Sequence, residues 1–142
     1  MIPRVFAASP GGHRLRVSTR ETTDRFREAL GRLEEHAEVD PLLELFAEDV
    51  VIDTATPAPG LSGRDGARRL WTQDRELFSR VRSTFRNVVV DGDVAILEWH
   101  RDAQDRNGRD VSHPGVSVLE LRDGEIARFA VHFDPTPLAP GA

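Results

Sequence analysis

The stretch from Arg86 to Pro135 reads RNVVVDGDVAILEWHRDAQDRNGRDVSHPGVSVLELRDGEIARFAVHFDP, and its reading decides the fold. Four runs dense in Val, Ile, Leu, Phe and Trp are separated by Asp91-Gly92, by Asp105 to Gly108 and by Asp123-Gly124. Each separator carries a residue that tolerates positive φ, so hairpin-linked antiparallel strands are the economical interpretation. The expected strands run from about 82 to 90, 93 to 103, 110 to 121 and 125 to 133. A twisted meander of this length must cover one apolar face, and the residues before it supply mainly helical pattern. The predicted class is α+β: three helices packed on a curved, mixed, mostly antiparallel sheet.

Working outward, Ser18 and Glu21 have the spacing of a capping box, and Phe26, Leu30, Leu33 and Ala37 then form one helical stripe, predicting a helix from about 20 to 37. Asp40 followed by Pro41 predicts an N-cap and first helical residue for a short second helix holding Leu42, Leu43, Leu45 and Phe46. Val50 to Thr54 reads as a strand ahead of a loop rich in proline, TATPAPG. A third helix is expected from about Arg64 to Ser79, with Ala67, Leu70, Trp71, Leu77 and Phe78 inward and its charged residues facing water. Residues 1–19 lack a sustained period and are expected to form an irregular arm, and residues 136–142 a flexible tail. The domain proper is 20–135.

Composition excludes several functions. A formal charge of −5, with arginines scattered rather than clustered, leaves no electrostatic footprint for nucleic acid. The absence of cysteine removes disulfides, thiolate nucleophiles and thiolate metal ligands. No apolar run approaches the ~20 residues of a membrane span, and the N-terminus lacks the apolar core of a signal peptide, so a cytoplasmic location is expected. No residue cluster has metal-ligand spacing and no glycine-rich phosphate loop follows a strand, so neither metal nor cofactor is predicted.

The segments LFAEDVVID, SGRDGARRLW, DGDVAILEWH and LELRDGEIARFAVHFD, in this order, resemble the SnoaL-like families of the NTF2-like superfamily over about residues 20–135. The resemblance implies a cone of helices against a bent sheet around one apolar cavity for a small hydrophobic molecule, commonly in a homodimer. It also implies relatives that include polyketide cyclases, ketosteroid isomerases and limonene-epoxide hydrolases. Their catalytic sets do not carry over. The tyrosine and asparagine of the epoxide hydrolases fall on Ile52 and Thr54, their arginine and aspartates on Trp99, Arg101 and Val131. The isomerase base falls on Thr54, and the acidic residue of isomerases and cyclases on or near Ser117. No tyrosine exists to act as donor.

Taking the matched positions as cavity-facing, alternation along the strands predicts Thr54, Leu97, Trp99 and Arg101, then His113, Gly115 and Ser117, then Phe129, Val131 and Phe133 on the cavity side. Asp53, His100 and His132 fall on the other face. A hairpin turning at Asp105 to Gly108 sets Arg101 opposite His113 and Trp99 opposite Gly115. His113 is the candidate acid/base group, since imidazole titrates near neutrality and a guanidinium neighbour favours its proton-accepting form; the alternative is a hydrogen-bonded lining residue. Arg101 is the second catalytic candidate, a fork for an anionic or carbonyl oxygen, the alternative being a rim arginine paired with Asp102 or Asp110. Thr54, Trp71, Leu97, Trp99, Gly115, Ser117, Phe129 and Val131 are the expected ligand-binding positions, though tryptophans inside a cone also serve as core. The leading expectation is a small-molecule enzyme, a cyclase, isomerase or hydrolase using cofactor-free acid/base chemistry on a hydrophobic oxygenated metabolite. Its rivals are a non-catalytic binding protein with the same cavity and a dimeric interaction module.

Overall fold

The computed structural model describes residues 17–54, 61–134 and 136–138. Helix α1 (Thr19–His36) starts from the expected capping box: the Ser18 hydroxyl accepts from the Glu21 amide at 3.0 Å, and the Glu21 carboxylate accepts from the Ser18 amide at 3.2 Å. Its stripe of Phe26, Ala29, Leu30 and Leu33 is buried on the sheet. Two threonines fasten the same helix to two hairpin turns, Thr19 donating to the Gly92 carbonyl and Thr22 to the Gly124 carbonyl, each at 2.8 Å.

Helix α2 (Asp40–Leu43) is a single turn, shorter than expected, and Asp40 is its first residue; the cap position belongs to Val39 and makes no side-chain bond. Leu45 and Phe46 are not helical. The Leu45 carbonyl accepts from the Ile126 amide at 2.8 Å, so pairing with the last strand captures the backbone that a second turn would have used. Strand β1 therefore begins early, at Phe46, and runs to Asp53. Apolar run length alone does not separate a buried helical turn from a buried strand, and here the sheet wins.

Helix α3 (Gly63–Glu76) ends three residues before the expected Ser79. Phe78 opens strand β2 (Phe78–Asp91), which is longer than predicted because strand β3 (Val94–Asp105) extends far enough to pair with it down to Asp105. Strands β4 (Asp110–Arg122) and β5 (Glu125–Phe133) complete the meander near the expected boundaries. The sheet order is β1-β5-β4-β3-β2, antiparallel throughout except for the parallel β1–β5 pair, which is the expected mixed sheet. Register shifts at Phe78/Arg80, Phe85/Asn87 and Glu120/Leu121 mark where it bends.

The turns behave as their residues dictate. Asp123 and Gly124, with φ of 54° and 82°, form a two-residue loop between the paired Arg122 and Glu125, the backbone handedness that suits a twisted hairpin. At the longer turn Asp105 folds the loop onto itself, its carboxylate accepting from the amides of Asn107 and Arg109 at 2.9 and 2.8 Å. The β3–β4 register is the expected one: Trp99 faces Gly115 and Arg101 faces His113.

Residues 1–16 and, of the TATPAPG segment, residues 55–60 lie outside the described residues. Within the expected tail, Thr136–Leu138 forms a 3-10 turn whose Leu138 packs on a small core of Phe78, Val81, Ala103 and Val111. No helix among the described residues is long and apolar enough to cross a membrane.

Candidate functional site

Between α1, α3 and the concave side of the sheet lies a cavity of about 460 Å³. One wall is an aromatic cluster in which Trp71 on α3 meets Phe129 of β5 at 5.3 Å between ring centroids, with Phe26 and Phe46 against them. The other wall is a row across the sheet. Trp99 packs edge-on to His113 at 5.6 Å, and His113 in turn lies 5.4 Å from Phe133. The Trp99 indole nitrogen donates to the Ser117 hydroxyl at 2.9 Å, fixing the ring over Gly115.

A second row carries the charge. Ser83, Arg101 and His113 are direct cross-strand partners on β2, β3 and β4, and two helices contribute a carboxylate each. From α3, Asp74 accepts two parallel hydrogen bonds from Arg101, Nη1 to Oδ1 at 2.8 Å and Nη2 to Oδ2 at 2.9 Å. From α1, the buried Glu34 accepts from the Ser83 amide at 2.9 Å and from its hydroxyl at 2.6 Å. Arg101 is therefore bonded neither to Asp102 nor to Asp110 but to a helical carboxylate. Burial opposes its charge, yet Asp74 and, further off, Glu34 outweigh that and hold the guanidinium above its ordinary range.

His113 is 2% exposed, and its Nδ1 has no hydrogen-bond partner among the described residues. Burial first and the Arg101 charge second push its pKa below the ordinary histidine value, against the opposing pull of Asp74. Both causes favour the neutral ring, and desolvation rather than the guanidinium is the larger of the two.

Of the remaining predicted positions, Thr54, Trp71, Trp99 and Ser117 line the cavity, as do Phe129, Val131 and Phe133. Leu97 and Gly115 do not. Leu97 is fully buried in the core with Phe26, Leu30 and Leu119, and Gly115 is covered by the Trp99 ring. The expectation that the charged residues of the third helix face water fails at Asp74, which lines the cavity. Its signal was present: Asp74 stands three residues after Trp71 and seven after Ala67, on the apolar stripe of α3. Ser83 and Leu138 also line the cavity and were not singled out.

On the outer face, Ser112 links His100 and Asp102, lying 2.7 Å from His100 Nε2 and donating to Asp102 at 3.1 Å. Asp53 accepts from Arg128 at 2.9 Å, and Arg128 also reaches Glu120. Among the described residues no group of three His, Asp or Glu side chains is placed to hold a metal ion.

Many solved structures share this architecture, and three illustrate it. An NTF2-like protein of unknown function from Burkholderia pseudomallei aligns with a TM-score of 0.72 at 19% identity, over 84% of this chain and 93% of that one. A candidate SnoaL-like polyketide cyclase from Jannaschia sp. gives 0.67 at 18%, covering 81% and 89%. AclR, a candidate hydroxylase from Streptomyces galilaeus, gives 0.70 at 14%, covering 84% and 91%. No curated protein matches the chain. At such identities structural likeness carries the fold alone, but a family model for the SnoaL-like domain matches residues 23–129. That match runs from the first helix to the last strand, and the chain belongs to the SnoaL-like domain family.

Proposed function

We propose that the protein is a small-molecule enzyme that transfers protons inside its cavity, with His113 as the general base and a hydrophobic, oxygenated metabolite of secondary-metabolic type as substrate. The observation that carries this reading is the placement of His113, a buried imidazole on the wall of a cavity of about 460 Å³, where burial and the Arg101 charge favour its neutral form. A neutral imidazole is the form that takes a proton from carbon or oxygen acids near pH 7. Isomerisation, ring closure and hydrolysis all need such a step, and none of them needs a cofactor for it. Trp71, Trp99, Phe129 and Val131 would enclose the substrate, while Thr54 and Ser117 offer hydroxyls that orient it. Arg101, with both terminal nitrogens on Asp74, acts through the field it sets at His113 rather than by seizing an anion with a free fork.

Deuterium exchange tests this without knowledge of the product. Polycyclic ketones incubated with the protein in heavy water should lose α-proton NMR signal faster than without it. His113→Gln should remove most of that acceleration, in the range of about 10² to 10⁴-fold ascribed to a general base. Equal exchange by wild type and variant would sink the proposal.

One observation favours a second reading, a binding or accessory protein without turnover. Asp74 is the only carboxylate lining the cavity among the described residues, and it is engaged by Arg101, so none is bonded to His113 to orient it as catalytic imidazoles usually are. A ligand bound tightly and recovered unchanged would select that reading. In either case a homodimer in the cytoplasm is proposed, formed through the open face of the sheet.

A further inference from the structure

Arg101 and Asp74 are the only arginine, lysine or carboxylate side chains lining the cavity among the described residues, and they are bonded to each other through both terminal nitrogens and both oxygens. The pair presents no net charge to the interior. The rest of the wall is mostly apolar, with His113 neutral within it. A ligand carboxylate would enter as a third charge without an opposite partner, and an uncompensated charge in a dry, apolar site is strongly disfavoured. Glu34, hydrogen-bonded to Ser83 behind the wall, adds to the negative side of the balance.

We propose that the cavity selects uncharged aromatic molecules over carboxylates, and that Asp74 sets this selectivity by cancelling the charge of Arg101. The inference rests on reading the cavity as a small-molecule site and adds the charge class of its occupant. Replacing Asp74 by asparagine leaves a buried guanidinium whose counterion can then be the ligand itself.

The test is calorimetric titration at about pH 7.5, where carboxylates are ionised, with 2-naphthamide and 2-naphthoate, a matched pair that differs in charge. The indole N–H resonances of Trp71 and Trp99, the only two tryptophans in the chain and both on the cavity wall, report where the probes bind. Wild type is expected to hold the amide at least about tenfold tighter than the carboxylate, a difference well within reach of titration. Asp74→Asn should strengthen naphthoate by about tenfold or more and leave the amide nearly unchanged. The double variant Asp74→Asn with Arg101→Gln, which has neither charge, should again favour the amide. Should Asp74→Asn not fold, Arg101→Gln serves in its place: it leaves Asp74 unpaired and should gain affinity for 2-naphthylmethylammonium. Equal affinities in wild type, or variants that alter both probes alike, overturn the charge selectivity and leave the small-molecule site standing. Failure of both probes to bind, with both indole signals unmoved, overturns the selectivity and the site together.

Discussion

The indole of Trp99 lies across the backbone of Gly115, its direct partner on the neighbouring strand, so closely that a Cβ at position 115 would overlap the six-membered ring. The absence of a side chain on one strand is thus what lets a tryptophan on the next lie flat along the cavity wall. Gly115→Ala should displace the ring, break its bond to Ser117 and destabilise the fold by about 1–3 kcal/mol, the usual range for overpacking. Urea unfolding measures the loss, and the Trp99 indole N–H signal should shift with it. Adding Trp99→Leu to Gly115→Ala should restore part of the stability by clearing the overlap. A Gly115→Ala protein with wild-type stability and an unmoved indole signal would contradict this seating.

His113 predicts the direction of acid sensitivity. Its folded-state pKa is depressed, chiefly by burial, whereas the unfolded chain offers an ordinary imidazole near about 6.5. Above that value both states are neutral and the group contributes nothing to pH dependence. As pH falls through it, the unfolded state takes up the proton first, so stability declines until the folded ring is protonated too. Denaturation midpoints measured between about pH 7.5 and pH 5 should fall more steeply for wild type than for His113→Gln. A His113 ring that titrates by NMR at the ordinary value would remove this dependence, and one that titrates above it would reverse the sign.

Glu34 gives a different kind of test, because its role is to hold strand to helix. Its carboxylate satisfies both the amide and the hydroxyl of Ser83 across 49 positions of sequence. Glu34→Ala leaves a buried N–H without an acceptor and should cost about 1–3 kcal/mol, while Glu34→Gln, which keeps one acceptor oxygen, should cost less. Thermal unfolding of the two variants side by side checks the order.

Association through the open sheet face should depend on its apolar centre. Val89 and Ile96 pair across β2 and β3 there and are 57% and 43% exposed, with Val118 next in register and Glu98, His100 and His132 around them. In a twofold pairing each such residue counts twice, so one charge per chain puts two in the interface. Light scattering at micromolar concentration should show a dimer for wild type and a monomer for Ile96→Lys. A wild-type monomer would remove the basis for this interface.

What could be read from the sequence followed from local chemistry. Asp-Gly pairs and the Asp105 to Gly108 turn define hairpins with little freedom, and once a hairpin's turn is placed its register follows, which is why Arg101 opposite His113 was legible. Leu45 and Phe46 were not, because a short apolar run serves a buried helix or a buried strand equally well and only the distant Ile126 amide decides. Asp74 shows a different limit. Its place on the apolar stripe was visible, but a carboxylate in such a position reads as a surface residue until the arginine that receives it, 27 positions away, is brought alongside. Leu97 was assigned to the right face, yet alternation gives a face and not a depth, and its position beneath α1 makes it core.

The parallel pairing of β1 with β5 has a consequence for the order in which the molecule assembles. Phe46 lies beside Ile126 and Ile52 beside Phe129, so the first strand gains its parallel neighbour only once β5, more than seventy residues later, exists. The meander from β2 to β5 can form from near neighbours, whereas β1, carrying α1 and α2 ahead of it, docks by closing a loop of more than seventy residues, the slow class of contact. During synthesis the cavity therefore has no floor until its last strand leaves the ribosome, and for that interval Phe26, Phe46 and Trp71 lack the Phe129 ring on which they converge.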